Sequence, residues 1–225
     1  MLNLASFAAN KSGTSGTPIT VRAVNDGGAR IDGQGVRGPL VVGTSPGTNN
    51  WWVFQGFDVH DSNAANFVVW AYGQNLVFRR ICAWNAGGAT DAAANNQVWG
   101  VVPGANNLFE DVCGFGTGRN IFIEGSNPEQ GLAGNVYRRV WAQWEGWCGG
   151  GGPRATLQMA YLSLGNHLLE NLISTFSASR QAGLGCGVAH PSGVVNVQYR
   201  NAPQSGGFPP GARIRGAIIY NKATA

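Results

Sequence analysis

The stretch Asn75-Leu-Val-Phe-Arg-Arg-Ile-Cys-Ala-Trp-Asn85 sets the pattern from which the rest of the chain can be interpreted. Taken alone, it is typical of one amphipathic strand between two turn-forming asparagines. Related segments occur before and after it, and each carries a large apolar residue at the equivalent place. These residues are Phe54, Phe78, Phe109, Tyr137 and Leu169, which lie 24, 31, 28 and 32 residues apart. A strand that recurs at such a period, with loops of varying length, indicates a solenoid.

Further short strands are predicted between these segments. Ile19–Arg22, Ala29–Asp32 and residues 38–42 would form a first coil, and residues 67–70, 97–102, 120–124, 156–159 and 185–188 precede the repeated motif in later coils. Equivalent residues recur in the same chain direction, which favours parallel strands stacked about 4.8 Å apart. Because parallel crossovers are almost always right-handed, we predict an all-β fold, a single-stranded right-handed parallel β-helix.

The composition agrees with many short strands and tight turns. The chain has 225 residues, of which 44% are hydrophobic, only 12% are charged and 35 are glycine. This mixture argues against a coiled coil, a helical bundle or a charged disordered chain. We expect residues 1–16 to be a lead-in or N-terminal cap and residues 17–225 to be one β-helix domain, either complete or a segment of a longer solenoid.

The charge distribution limits the partners that the chain is expected to bind. The formal net charge is +4, which favours an acidic partner such as a uronic-acid polysaccharide. Lysine occurs only at Lys11 and Lys222, so the basic footprint of a nucleic-acid-binding protein is missing. No apolar run is long enough for a membrane span. No signal peptide is visible at the N-terminus, so an extracellular, surface or virion location would apply to a mature or truncated form.

The outward positions of the repeats form two columns of alternating charge. The first column is Gln55, Arg79, Glu110, Arg138 and Glu170, and the next is Gly56, Arg80, Asp111, Arg139 and Asn171. Alternation is what a structural ladder of cross-strand ion pairs requires, because like charges opposite one another repel. The other hypothesis is that Arg80, Asp111 and Arg139 line a sugar-binding or catalytic face.

The segment Asp58-Val-His60-Asp61 places Asp58 and His60 on one side of a strand, with Asp61 entering the turn. Such a group could act as acid and base in a groove, and Asp58 and Asp61 could bind Ca²⁺. The alternative is a polar outer face in which Asp61 stabilises the turn. Both interpretations stay open, and calcium is the one cofactor that the sequence suggests.

Three tryptophans lie close together at Trp141, Trp144 and Trp147, with Glu145 and Arg154 nearby in the sequence. Exposed indole rings can stack on sugar rings, so we predict a substrate-binding loop from these five residues. The alternative is that the tryptophans fill a coil interior or pack beneath a loop.

Cys82 and Cys113 occupy the same repeat position on successive coils, and the chain's other cysteines, Cys148 and Cys186, show no metal-type spacing. We expect Cys82 and Cys113 to be stacked neighbours and to remain two small buried or half-buried thiols. A disulfide between them requires a Cβ geometry that the sequence does not supply.

The repeat resembles that of right-handed parallel β-helix proteins of the pectate-lyase-like group over about residues 17–220. Residues 16–23, 30–33 and 51–59 are also similar to the early coils of polysaccharide lyases of the alginate lyase and chondroitinase B type. That resemblance implies a calcium-dependent lyase with a Lys/Arg pair for proton transfer. The solenoid body has no lysine before Lys222, so no catalytic residue is transferred to this chain.

Two hypotheses about function follow. The first is an extracellular β-helix that binds an acidic polysaccharide and cleaves it if a catalytic site is present, by β-elimination or hydrolysis. The second is a non-enzymatic structural protein, such as a fibre, coat or adhesin element. The sequence indicates no capping helix at either end of the solenoid, and uncapped ends would allow homo-oligomerisation.

Overall fold

The computed structural model describes residues 2–3, 11–43, 48–63, 67–87, 97–101, 104–116, 120–124, 134–144, 160–162, 166–177, 197–199 and 213–222. Every regular element in these ranges is a β-strand, which confirms the all-β prediction. Within the same ranges there is no long apolar helix of the kind that crosses a membrane. The strands predicted at residues 156–159 and 185–188 fall outside the described residues.

One sheet has seven strands in the described part of the chain, and all of its pairings are parallel. In spatial order these strands are β1 (Leu2–Asn3), β4 (Leu40–Val42), β7 (Val69–Ala71), β10 (Gln97–Val101), β13 (Asn120–Glu124), β16 (Ala160–Leu162) and β18 (Val197–Tyr199). Each strand comes from a different coil, so the sheet runs along one side of the solenoid.

The other sheet consists of two rows of parallel strands that meet in one long strand. The first row is β2 (Ile19–Arg22), β5 (Trp52–Gln55), β8 (Val77–Arg79), β11 (Leu108–Glu110) and β14 (Val136–Arg138). The second row is β3 (Ala29–Asp32), β6 (Phe57–His60), β9 (Cys82–Trp84), β12 (Cys113–Phe115) and β15 (Trp141–Trp144). The long strand β17 (Leu168–Ser177) continues both rows, and β19 (Arg213–Lys222) pairs with it. A coil therefore contains three strands, and the parallel β-solenoid is confirmed. Its right-handed sense stays a prediction.

The predicted apolar column is confirmed residue by residue. Phe54 pairs with Phe78, Phe78 with Phe109, Phe109 with Tyr137, and Tyr137 with Leu169. The four aromatic rings stack with centroids 5.2, 5.2 and 4.9 Å apart, and all five side chains are buried. Burial of such large apolar groups is the main stabilising contribution to the fold.

The repeated motif is two strands joined by a bend, which corrects the one-strand interpretation. Arg80 lies between β8 and β9 with φ 52°, in the left-handed region. The equivalent residues in other coils share that conformation, with φ between 52° and 75°: Gly56, Asp111, Arg139, Asn171 and Gly216. Inward positions are three residues apart across the bend, at Phe78 and Ile81, instead of two. This break in the strand period is the sequence signal for the bend.

The seven-stranded sheet packs on these two rows through Trp99 of β10. Its ring meets Phe78 and Phe109 edge-on, at 5.7 and 5.8 Å between centroids. Its indole Nε1 donates a hydrogen bond to the carbonyl oxygen of Cys113, at 3.0 Å. Gly114 faces the same space, and a Cβ there would overlap Ile121. Glycine is therefore needed here because the core is filled from the opposite sheet.

Buried asparagines close the turn that precedes the first row. Asn107 Oδ1 accepts a hydrogen bond from the Leu76 amide at 2.8 Å, and Asn107 Nδ2 donates to the Gly73 carbonyl at 3.2 Å. Asn135 Oδ1 accepts from the Asn107 amide at 2.9 Å, and Asn135 Nδ2 donates to Gly104 at 3.1 Å. The turn asparagines thus supply hydrogen bonds for backbone groups that are removed from water.

A disulfide joins Cys82 to Cys113, so the expectation of two free thiols is wrong. The two residues are register partners on β9 and β12, with Cα atoms 4.5 Å apart. That separation lies within the range that a disulfide spans. The bond ties two neighbouring coils together on the outer face. Cys148 and Cys186 lie outside the described residues.

Candidate functional site

The first charged column is a continuous ion-pair ladder on the outer face, as the alternation predicted. Glu110 contacts Arg79 at 2.7 Å, Arg138 at 3.4 Å and Arg139 at 3.0 Å, and Arg138 continues to Glu170 at 2.6 Å. Burial alone would raise the pKa of Glu110. Hydrogen bonds and charge from the arginines outweigh burial and lower that pKa below its ordinary value. The arginines therefore favour the ionised form of the Glu110 carboxylate, and a structural role of the ladder stays a prediction.

Beside the ladder lies a charged depression of about 350 Å³. Asp58, Arg80, Asp111, Arg139 and Trp141 all line it, although they come from four successive coils. Arg80, Asp111 and Arg139 reach it because the left-handed bend directs three successive coils in the same way. Asp58 and Trp141 reach it from outward positions on β6 and β15. The structure thus brings together five residues that the sequence analysis singled out in three separate groups.

Three of the charged residues in this depression have ion-pair partners. Arg139 binds Asp111 with two hydrogen bonds, from Nε to Oδ1 at 2.5 Å and from Nη2 to Oδ2 at 2.8 Å. The hydrogen bond from Arg139 lowers the pKa of Asp111, against the smaller opposing effect of burial. The same pairing raises the pKa of Arg139. Arg80 pairs with Asp26 at 2.5 Å. The depression therefore presents ionised, oriented donors and acceptors at neutral pH.

Asp58 is held by the backbone of the next coil. Its Oδ1 accepts a hydrogen bond from the Cys82 amide at 3.2 Å. Cys82 also belongs to the disulfide that forms part of the wall of the depression. Asp58 is half-buried, and one of its oxygens therefore already has a protein partner. This arrangement is more typical of a positioned acceptor than of a mobile acid–base group.

Arg139 and Trp141 line both the charged depression and a neighbouring apolar one of about 500 Å³. Ile173 and Ile218 line the apolar side, and they are 42% and 62% exposed. The indole Nε1 of Trp141 donates to Thr175 Oγ1 at 3.1 Å, which fixes the ring's orientation. Together the two depressions form one groove along the solenoid axis, which we call the bend groove. It is polar toward Asp58 and apolar toward Ile218.

A second polar cluster lies at the end of β6. His60 Nδ1 is 2.8 Å from Asp61 Oδ2 and 3.7 Å from Asp32 Oδ1. The imidazole ring stacks on Trp84 with centroids 4.8 Å apart and planes within 8°. Ligand atoms of Asp32, His60 and Asp61 all lie within 4.8 Å of one another, so this group has the donors for a metal ion. Asp58 is not in this group.

Trp84 is not open for stacking on a sugar. One face meets His60, and the other lies against Phe115 with centroids 5.6 Å apart and planes within 2°. The Arg30 guanidinium also lies 5.9 Å from the Trp84 ring centroid. These rings form an external aromatic ladder that stabilises the outer face.

The predicted tryptophan loop is only partly within the described residues. Trp141 is described in full, and Trp144 is described in backbone as the last residue of β15. Glu145, Trp147 and Arg154 lie outside the described residues. Sequence reasoning missed Asp26 and Asp32. The register of the first coil would have found Asp32, because Ala29–Asp32 pairs with Phe57–His60 and places Asp32 opposite His60.

No family model, no curated protein and no solved structure matches this chain. The class that the fold and the bend groove define is an all-β parallel solenoid with a polar and aromatic groove on its outer face. The pectate-lyase-like resemblance therefore stays a hypothesis about function.

Proposed function

We propose that the chain binds an acidic polysaccharide in the bend groove. The observation that carries this proposal is the meeting of Asp58, Arg80, Asp111, Arg139 and Trp141 around one depression. Sugar recognition needs charged hydrogen-bonding groups around hydroxyls and carboxylates, together with a broad apolar ring for the sugar face. The groove provides both, and it runs across successive coils, as an extended ligand requires.

The preference for an acidic ligand follows from charge. The arginine side chains of the groove stay partly exposed, 42% for Arg80 and 47% for Arg139, although each has a carboxylate partner. The formal net charge of +4 adds a long-range attraction for anions. The Cys82–Cys113 disulfide supports an extracellular or surface location, because such bonds persist in oxidising compartments.

Binding is better supported than cleavage. β-Elimination requires a base that removes a proton beside a carboxyl group. Asp111 is a weak base because its pKa is held below the ordinary value, and arginine stays protonated in proteins. Asp58 is the remaining carboxylate of the depression, and one of its oxygens already accepts a hydrogen bond. The groove is therefore suited to holding a glycan without transferring its protons.

The test is a titration of the chain with uronic-acid and neutral polysaccharides, with and without Ca²⁺, while the absorbance of unsaturated products is followed. We expect binding of an acidic polysaccharide, no unsaturated product, and about 3- to 10-fold weaker binding by Trp141→Ala, the effect of one aromatic contact. Trp70→Ala is the matched control. Trp70 is also half-buried but lies on the seven-stranded sheet, against Phe67 and Tyr72. Equal loss of affinity in both variants, or no binding at all, would refute the proposal.

A second candidate is end-to-end assembly through β19. Ile214, Ile218 and Tyr220 are 51%, 62% and 58% exposed, and β19 pairs only with β17 in the described part of the chain. An open strand edge with apolar side chains favours pairing with another strand. Arg22 is the register partner of Gln55, and Arg215 is the register partner of Glu170, so both extend the first charged column. A second copy that stacks its β2 on β19 in register would therefore place Arg22 opposite Arg215.

Salt separates the two candidates. Binding of an acidic polysaccharide is expected to weaken as salt rises, because ion pairing with the ligand is screened. End-to-end assembly is expected to strengthen, because salt screens the repulsion between Arg22 and Arg215 and favours apolar burial. Sedimentation at low and high salt, with and without polysaccharide, measures both effects. Assembly that strengthens with salt and is lost in Ile214→Asp, at a residue of β19 that does not line the bend groove, would support the β19 edge.

A further inference from the structure

We propose that Asp32, His60 and Asp61 form a binding site for a divalent transition-metal ion of the Zn²⁺ type. The proposal is independent of the bend groove, because none of the three residues lines it. The three donors come from two neighbouring coils, Asp32 from the end of β3 and the other two from the end of β6 and the following turn.

The two separations from His60 Nδ1 are close to those of a tetrahedral ion, and all three donor atoms lie within 4.8 Å of one another. Zinc lies about 2.0–2.2 Å from histidine nitrogen and carboxylate oxygen, so two ligands of one tetrahedron are about 3.4 Å apart. His60 Nδ1 is 2.8 Å from Asp61 Oδ2 and 3.7 Å from Asp32 Oδ1. Both values bracket the required separation. The aspartate side chains are 48% and 39% exposed, so small torsional changes would complete the geometry. Water would supply the fourth ligand.

The donors are already oriented by their neighbours. Stacking on Trp84 holds the plane of the His60 ring, which directs Nδ1 toward the two carboxylates. Asn85 Nδ2 donates to Asp61 Oδ1 at 2.8 Å, and this leaves Asp61 Oδ2 directed at the imidazole. The Gln34 amide donates to Asp32 Oδ1 at 2.7 Å. Hydrogen bonds of this kind around the ligands orient them and tune the affinity of metal sites.

The donor chemistry selects the ion. One imidazole nitrogen with two carboxylate oxygens suits Zn²⁺ and related ions, whereas Ca²⁺ takes six to eight oxygen ligands. Two carboxylates beside one imidazole also place two negative charges close together, and a divalent cation neutralises them. The ion would bind His60 through Nδ1, the ring nitrogen that lies near both carboxylates.

The test is calorimetric titration of the untagged chain with Zn²⁺ and with Ca²⁺, supported by the visible absorption of bound Co²⁺. We expect one Zn²⁺ per chain and at least about a 10-fold loss of affinity in His60→Gln and in Asp32→Asn. Asp32 is exposed, so the second variant tests the site even if loss of the His60–Trp84 stack disturbs folding.

Two variants serve as controls. Asp58→Asn removes the carboxylate on the same strand that lies outside the cluster, and Asp26→Asn removes a carboxylate that pairs with Arg80 and is not one of the three donors. Both are expected to bind Zn²⁺ as the unchanged chain does. The proposal is overturned if the unchanged chain binds no Zn²⁺, if Ca²⁺ binds more tightly with the same dependence on Asp32, or if the controls lose affinity equally.

Discussion

Replacement of Glu110 by glutamine tests whether the ion-pair ladder stabilises the solenoid. Glu110 contacts three arginines, and its side chain is only 12% exposed. The arginine side chains are 36–47% exposed, so each pair contributes about 0.2–1 kcal/mol as partly exposed pairs do. Glutamine keeps the shape of the glutamate side chain and one of its hydrogen-bond acceptors, but it removes the charge. We therefore expect Glu110→Gln to lower the free energy of unfolding by about 1–2 kcal/mol at pH 7.

The effect should depend on pH in a defined direction. The pKa of Glu110 is lowered in the folded chain, so its stabilisation is present above the unfolded value of about 4.3 and is lost as the pH falls through the folded value. The difference between the unchanged chain and Glu110→Gln should thus be full at pH 7 and smaller at pH 3. It should also shrink in about 1 M salt, where screening acts within about 3 Å.

Urea unfolding followed by circular dichroism measures these differences. Glu170→Gln is the matched control, because within the described part of the ladder Glu170 pairs with Arg138 alone, at 2.6 Å. Glu170→Gln should lower the free energy of unfolding by about half as much as Glu110→Gln does, or less. The ladder argument fails if Glu170→Gln costs as much as Glu110→Gln, or if the loss at pH 3 equals the loss at pH 7.

Other predictions concern the core, the turns and the disulfide, and each is measured by the urea midpoint. Gly114→Ala should destabilise by about 1–3 kcal/mol through overpacking, whereas Gly16→Ala, with no atom within 4 Å of the added Cβ, should change stability little. Asn107→Ala should cost about 2–5 kcal/mol, because two buried backbone groups lose their partner; an unchanged midpoint would contradict the role of the buried asparagines. Reduction, or Cys82→Ser with Cys113→Ser, should cost up to about 4 kcal/mol for a loop of separation 31, and insensitivity to reductant would argue against the bond.

The architecture was predictable because residues that stack in a parallel solenoid recur at equivalent positions of the sequence repeat. Residues at equivalent repeat positions become register partners, so Phe54 and Phe78 could be paired from spacing alone. The same reasoning placed Arg79 beside Glu110 and Cys82 beside Cys113. It did not yield the bend within the motif, although the three-residue step from Phe78 to Ile81 carries that signal.

The candidate site could not be predicted from the sequence, because it depends on the angle between the two rows of strands. Alignment put Arg80, Asp111 and Arg139 in one column, yet their approach to Asp58 and Trp141 depends on the backbone angle at the bend. A left-handed residue turns the second row away from the first, and the size of that turn decides which outward columns share a depression. Periodicity gives the face of each strand but not the angle between faces.

The sequence by itself determined the solenoid, its apolar and charged columns and the stacking of equivalent residues, because period and burial are local properties of each coil. Tertiary structure alone decided that the donor atoms of Asp32, His60 and Asp61 lie within 4.8 Å of one another, that Cys82 and Cys113 are bonded, and that Trp141 lines both a polar and an apolar depression. Those outcomes depend on distances of a few ångströms between coils, which are set by turn conformation and packing rather than by the repeat itself.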